Sequence, residues 1–286
     1  MLAKCFWMEY SIFTHFSERG SFTLTLGFIG AGNMATAILD GTIKNHVFLP
    51  AEIIISNPHE DKLAYPKSLG VSVTRENCEV IKNSDIIILS VKPQMLESVL
   101  HEIKAYSAGK CFVSIAAGIS IEWIREILPD AHVIRVMPNT PLQVGVGATA
   151  IAEAPTVPDS FFQTVCDVFS AAGLISVIPE NLMDAVISVN GSSPAFFFRM
   201  ANVMTKWANE QGINPDAALQ LIASTMMGAA EMLLKSGKNA EELTRQVCSP
   251  GGTTLAALTA FDERNFDGLM MDAMTRCLLR ARELGK

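Results

Sequence analysis

The strongest constraint on the fold is a change of rhythm two thirds of the way along the chain. From residue 24 to about 178, short continuous apolar runs alternate with helical patterns: "LTLGFIG", "EIIIS", "DIIILSV", "CFVSIAA", "HVIRVMPN", "GATAIA" and "LISVI" are the runs. "NMATAILDGTIKN", "PQMLESVLHEIKAY", "SIEWIREIL" and "PDSFFQTVCDVFSAAG" are the helical patterns between them, and Ser120 is placed to cap the third. Strands rich in β-branched residues on both faces, separated by helices, predict a mostly parallel sheet covered on both sides.

After about Pro179 the strand runs stop. "ENLMDAVISVNG", "SPAFFFRMANVMTKWANEQG", "NPDAALQLIASTMMGAAEMLLKSG", "NAEELTRQV" and "TTLAALTAFDERNFDGLMMDAMTRCLLRARELG" carry helical periodicity, with Gly212, Gly237 and Gly268 as expected breaks. The expected class is therefore α/β: a Rossmann-type, doubly wound, mostly parallel sheet over 23–179, followed by an all-α domain over 180–286. Residues 1–22 precede the first clear strand and read as an appendage; they lack the apolar core and cleavage site of a secretory signal. The most apolar window, 217–234, is interrupted by Gln220, Ser224, Thr225 and Glu231. It reads as a helix buried on nearly all sides, not as a membrane span. A small helical domain can hardly bury such a helix alone, so self-association as a homodimer or larger assembly is expected.

Apolar residues make up 49% of the 286 and charged residues 18%, a globular balance. The net charge of −7 comes with no run of Lys or Arg, which argues against nucleic acid and membrane surfaces as partners. Any anionic ligand must be held by local devices. The six cysteines, at 5, 78, 111, 166, 248 and 277, form no C-x-x-C pair and no metal spacing, so no metal is expected. They read as free thiols of a reducing, cytoplasmic compartment. Cys248 has no His near it in sequence and is a poor nucleophile candidate.

Two local devices stand out. "GFIGAGNMA" sets Gly30, Gly32 and Ala35 between the first strand and the first helix. Gly30 permits the tight turn, Gly32 lets a pyrophosphate approach the backbone, and Ala35 keeps helix and strand close. The alternative is a packing turn of small residues. The second run ends with Ser56 and Asn57, where a carboxylate would meet a free ribose hydroxyl. The neutral pair favours NADP(H), with His59 or Lys62 in reach of a phosphate; Glu60 and Asp61 close by leave NAD(H) open. Three further strand ends face the same crevice: Val91, Lys92 and Pro93; Ala116, Ala117 and Gly118; and Asn139.

The second device is "VCSPGGTTLAAL". Pro250, Gly251 and Gly252 break a helix, and Thr253 and Thr254 begin the next. Such a turn aligns free backbone N–H groups, and Ser249, Thr253 and Thr254 add hydroxyls: a nest for one small carboxylate. The alternative is a helix corner with Thr253 or Thr254 as a plain cap.

This stretch resembles the signature of the pyrroline-5-carboxylate reductase family. "GFIGAGNMA", "VKP", "AAG", "MPNTP" and "NGSSPAFFF" are similar to further segments of that family, in order, from about Thr23 to the C-terminus. The chain departs from the family at Ser193, usually Gly, at Cys248, often a small hydroxyl residue, and at Pro58, often Arg. The resemblance implies a Rossmann domain plus a helical domain that forms an interwoven dimer, in some members built into rings. It implies cofactor contacts at Gly30, Ala31, Gly32, Asn33, Met34, Ser56, Asn57, Asn77, Val91, Lys92 and Ala117. It places Glu180, Ser249, Gly252, Thr253 and Thr254 around the substrate. Thr254 is the expected catalytic residue, oriented toward the ring nitrogen of a cyclic imine acid that NADP(H), or NAD(H), reduces to L-proline.

Two rivals share parts of this pattern. A β-hydroxyacid dehydrogenase would need a Lys in the first long helix of the second domain, where Arg199 stands and Lys206 lies more than three turns beyond Gly191. A non-catalytic nucleotide sensor would have no use for the intact "SPGGTT" turn.

Overall fold

The structure is a computed structural model that describes residues 24–285; the appendage expected at 1–22 lies outside them. Eight strands form one sheet: β1 (Leu26–Ile29), β2 (Ile53–Ser56), β3 (Ser72–Thr74), β4 (Ile86–Leu89), β5 (Cys111–Ser114), β6 (His132–Met137), β7 (Gly147–Ala152) and β8 (Gly173–Ile178). Their order is β3-β2-β1-β4-β5-β6-β7-β8, and every pairing is parallel except β6 with β7. The direction of winding reverses between β1 and β4, so the crevice beyond their carboxyl ends is where such a sheet takes a ligand.

β1, β4 and β5 are buried along their whole length, as continuous apolar runs require. One face of the sheet packs against α1 (Asn33–Lys44) and α6 (Asp159–Ser170) around Phe28 and Phe169. The other packs against α3 (Asn77–Lys82), α4 (Pro93–Ile103) and α5 (Ile121–Ile127) around Phe112. Ser120 caps α5 as expected, its Oγ accepting the Trp123 N–H at 3.1 Å. Burial pushes the thiols of Cys111 and Cys166 up, to about 12 and about 11, so both are inert packing groups.

Three elements between β2 and β4 are absent from the pattern read in the sequence: α2 (Glu60–Ser68), β3 and α3. α2 buries only Leu63 and Pro66, and β3 and α3 are three and six residues long. Elements this short or this polar leave no period to read.

After β8 the chain is helical: α7 (Met183–Val186), α8 (Ser193–Glu210), α9 (Pro215–Lys235), α10 (Ala240–Val247), α11 (Thr253–Glu263) and α12 (Phe266–Leu284). A π-helical turn, Ile187–Gly191, joins α7 to α8. The long last pattern is two helices, not one. The break falls at Asn265, which adopts the left-handed conformation (φ 50°), and Gly268 lies inside α12. Asn tolerates that conformation better than most residues, so it serves where a glycine was expected.

The helical half joins the sheet through a shared apolar cluster, with Met137 and Ala150 of the sheet against Met183, Ile187 and Ala281, and through polar contacts. Arg135 on β6 pairs with Asp184 on α7. Asn190 of the π turn donates to the carbonyls of Met137 (2.8 Å) and Ala148 (3.0 Å). α12 returns so close to the loop after β5 that a Cβ on Gly118 would strike the Ala281 carbonyl.

The expected burial of the 217–234 helix is corrected in the single chain. Within α9 only Ala218 and Ile222 are buried, while Leu221, Met227 and Leu234 are 67%, 66% and 72% exposed. Among the described residues α9 is the one helix long and apolar enough to cross a membrane by length and composition. Too little of this chain packs on it to cover an apolar surface on all sides.

Candidate functional site

The crevice beyond β1 and β4 holds a cleft of about 340 Å³, lined by Gly32, Asn33, Met34 and Ala35 of the first turn, by residues 90–93, by residues 115–117 and by Pro138. Its floor is a turn locked from three sides. Gly30 N–H donates to the Ser56 carbonyl (2.9 Å), Ser90 N–H to Ile29 (2.9 Å), and Ser90 Oγ to the Gly30 carbonyl (2.7 Å). Gly30 sits at φ +99°, and a Cβ there would lie 2.7 Å from the Ser90 carbonyl, so only glycine makes this turn.

Gly32 has a different reason to be glycine. A Cβ there meets nothing of the protein within 4 Å; it would project into the cleft. Gly32 is the N-cap of α1, and no side chain caps that helix. Open backbone at the positive end of a helix is a cradle for a pyrophosphate. The residues present therefore fit a dinucleotide. Val91, Lys92 and Ala117 reach the same cleft, whereas Gly118 of "AAG" serves the packing of α12.

At the end of β2 Ser56 is fully buried. Its hydroxyl donates to Asn77 Oδ1 (2.7 Å), while Asn77 Nδ2 donates to Glu102 on α4 (2.8 Å). Asn57 Oδ1 accepts the His59 N–H (3.0 Å), which starts α2. Ser90, in the lining of the cleft, and Glu102, behind Asn77, support the site and are not among the residues expected from the sequence. Ser90 follows the fourth strand as the one small hydroxyl before Val91, a faint signal; nothing local marks Glu102.

The 249–254 turn is built as its composition requires. Gly252 N–H donates to the Ser249 carbonyl (2.9 Å), Gly251 takes φ +68°, and a Cβ on Gly252 would run into Ser249 Oγ. Gly252 is itself the N-cap of α11, with no side-chain cap, so neither Thr253 nor Thr254 is spent on capping. Ser249 and Thr253 are exposed and Thr254 is half-buried. Among the described residues no hydrogen bond or ion pair links this turn to the cleft.

Glu180 is held at the start of α5, where its Oε1 accepts the Ile121 N–H (2.7 Å). The single chain thus brings Gly32, Asn33, Met34, Val91, Lys92 and Ala117 to one cleft, sets Ser56, Asn57 and Asn77 at the neighbouring end of β2, and leaves Ser249, Gly252, Thr253 and Thr254 apart from them. Among the described residues no three His, Cys, Asp or Glu side chains gather as metal ligands.

The family described as pyrroline-5-carboxylate reductase dimerisation matches residues 180–284, and one described as NADP oxidoreductase coenzyme F420-dependent matches 25–118. The pyrroline-5-carboxylate reductase of Methanosarcina acetivorans is 38% identical over 91% of this chain and 98% of its own. That of Escherichia coli is 36% identical over 91% and 98%. Among solved structures, the Plasmodium falciparum pyrroline carboxylate reductase with NADP bound superposes with a TM-score of 0.85 at 27% identity, over 92% of this chain and 98% of that one. The Coxiella burnetii pyrroline-5-carboxylate reductase gives 0.85 at 32% identity, over 93% and 100%. With relatives this similar along nearly its whole described length, the chain belongs to the pyrroline-5-carboxylate reductase family.

Proposed function

We propose that this protein reduces 1-pyrroline-5-carboxylate to L-proline with NADP(H), in the cytoplasm, as a homodimer or an assembly of dimers. The observation that carries the reading is the start of α1 at Gly32, where a side chain would meet nothing of the protein within 4 Å and the backbone lines an open cleft. Residues 23–179 serve as the cofactor domain and 180–286 as the substrate and association domain.

The residues lining the cleft, among them Gly32, Asn33, Val91 and Lys92, would hold a reduced nicotinamide cofactor, whose chemistry would be hydride donation to the imine carbon. The chain's own residues do the rest. The N–H groups and hydroxyls of 249–254 hold the substrate carboxylate. Thr254 orients the ring nitrogen, which keeps its proton and becomes the amine of the product. Glu180, anchored on Ile121, borders the substrate. A protonated imine accepts hydride readily, so holding the reactants face to face supplies most of what is needed, about 7–11 kcal/mol. Ser56 acts through Asn77, which it holds in place.

The turn meets the cleft through self-association in this reading. Three observations support it: the turn is exposed in one chain, α9 is uncovered, and the matched family is one of dimerisation.

Oxidation of NADPH and of NADH, followed with pyrroline-5-carboxylate, tests the assignment. Turnover with NADPH favoured is expected. Oxidation of a β-hydroxy acid without imine reduction would point to the rival dehydrogenase; Arg199 and Lys206, both exposed on α8, do not line the cleft. Cofactor binding without any turnover would point to a sensor.

A further inference from the structure

We propose that Arg75 is the residue that selects NADP(H) over NAD(H), by binding the phosphate on the adenosine ribose. The inference rests on the cofactor lying along the Gly32 cleft with its adenosine at the end of β2.

Parallel pairing sets Ser56 beside Thr74, so Asn57 and Arg75 are neighbours at the carboxyl ends of β2 and β3. Asn57 N–H donates to the Thr74 carbonyl at 3.2 Å, which ties the two strand ends together. Glu76 N–H donates to Thr74 Oγ1 at 3.1 Å and turns the chain sharply after Arg75. Arg75 therefore stands beside the ribose position, on a backbone fixed from both sides.

Its surroundings favour an anion. The end of β2 carries no carboxylate, only Ser56 and Asn57. Arg75 is exposed and makes no ion pair among the described residues. It lines a cavity of about 550 Å³ between β3 and α2, together with Glu60, Leu63, Ala64 and Lys67. Those four positions mark the side of α2 that is turned to this cavity.

Of the other cations near this end of the sheet, Lys62 lies off that face, and Lys67 shares it at the far end. At 100° per residue, Lys62 points roughly 150° away from the mean direction of the four lining residues. Lys67 lies two turns below Glu60, about 10 Å along the helix. His59 precedes the helix, with its N–H engaged by Asn57 Oδ1. Glu60 is the one acid in this cavity, and it makes a phosphate there more dependent on Arg75. A guanidinium fork matches phosphate oxygens in a bidentate way, and a ribose without phosphate offers it nothing comparable.

The test is direct binding to the full chain by calorimetry, with NADPH, NADH, 2′,5′-ADP and 5′-AMP as probes. Arg75→Gln should weaken NADPH and 2′,5′-ADP about 10- to 100-fold, the loss of a charge-assisted contact, and leave NADH and 5′-AMP unchanged. Arg75→Lys should fall between wild type and Arg75→Gln. Lys62→Gln should move none of the four. Arg75→Gln with wild-type NADPH affinity would overturn the proposal and leave the cleft assignment standing, as would equal losses for NADPH and NADH. Wild-type protein that binds no NADPH would overturn the cleft assignment and this proposal with it.

Discussion

The sheet half and the helical half use apolar residues in opposite ways. Around the sheet, Phe28, Phe112 and Phe169 are each fully buried by their own chain. In the helices, Phe198, Trp207 and Leu221 are 67%, 62% and 67% exposed. The first half is a complete core; the second is half of one. The functional devices divide in the same way. The cleft at Gly32 is lined by residues of the sheet half alone, whereas the 249–254 turn stands unattached to it. An exposed apolar surface this extensive marks an interaction site, and the matched dimerisation family says with what kind of partner.

The difference can be broken at its strongest point first. Phe112→Ala should destabilise the sheet half by about 3–5 kcal/mol. Because that core is self-contained, denaturant midpoints for the variant should shift by the same amount at every protein concentration. Leu221→Glu should do the reverse. It places a charge on the uncovered face of α9, so the mass by light scattering should fall toward the single-chain 31.0 kDa, and stability should depend on concentration in the wild type only. A Leu221→Glu protein that keeps the wild-type mass would show that α9 is not at the interface.

Thr254→Ala sharpens the comparison at the site. Removing one oriented donor to a charged reacting group should cost about 1.5–3 kcal/mol, or roughly ten- to a hundredfold in kcat. NADPH binding, which belongs to the other half, should not change. Wild-type kcat and KM would reduce Thr254 to a structural residue and leave the backbone nest alone to hold the substrate.

The smallest effect concerns the buried thiols. Cys111 and Cys166 rise from the ordinary 9.0 to about 12 and about 11 in the fold. At or below neutral pH both states of the protein keep these protons, so nothing changes. Above pH 9 the unfolded chain loses them first, and stability should decline as pH rises from 9 toward 12. Alkylation of the native protein should reach Cys78, Cys248 and Cys277, all partly exposed, well before Cys111 or Cys166.

The two halves were also unequally legible in the sequence. Long apolar runs such as residues 86–89 and 111–114 announce buried parallel strands, because both faces are covered and every position must be apolar. The glycine turn and the 249–254 turn are legible for a similar reason: their geometry restricts composition within six residues. What is missed depends on distance. Ser90 holds the turn at Gly30 from 60 residues away, and Glu102 holds Asn77 from 25 away, so neither leaves a local pattern. α2, with Pro66 inside it and few buried positions, shows no helical face. The apolar character of α9 was plain, but composition cannot say which chain covers it, and here its own chain does not.

The central claim is that the cofactor cleft of one copy is completed by the 249–254 turn of another. Complementation tests it most directly. Gly32→Val places a side chain where the protein leaves open space, so it should fold and fail to bind NADPH. Thr254→Ala should bind NADPH and turn over poorly. Each is made alone, and the two are then coexpressed so that mixed dimers form. If sites are shared between copies, a mixed dimer pairs an intact cleft with an intact turn, and about a quarter of wild-type activity should return, one site in half of the dimers. If each site is built within one chain, every site carries a lesion; coexpressed protein no more active than the better single variant would contradict the account.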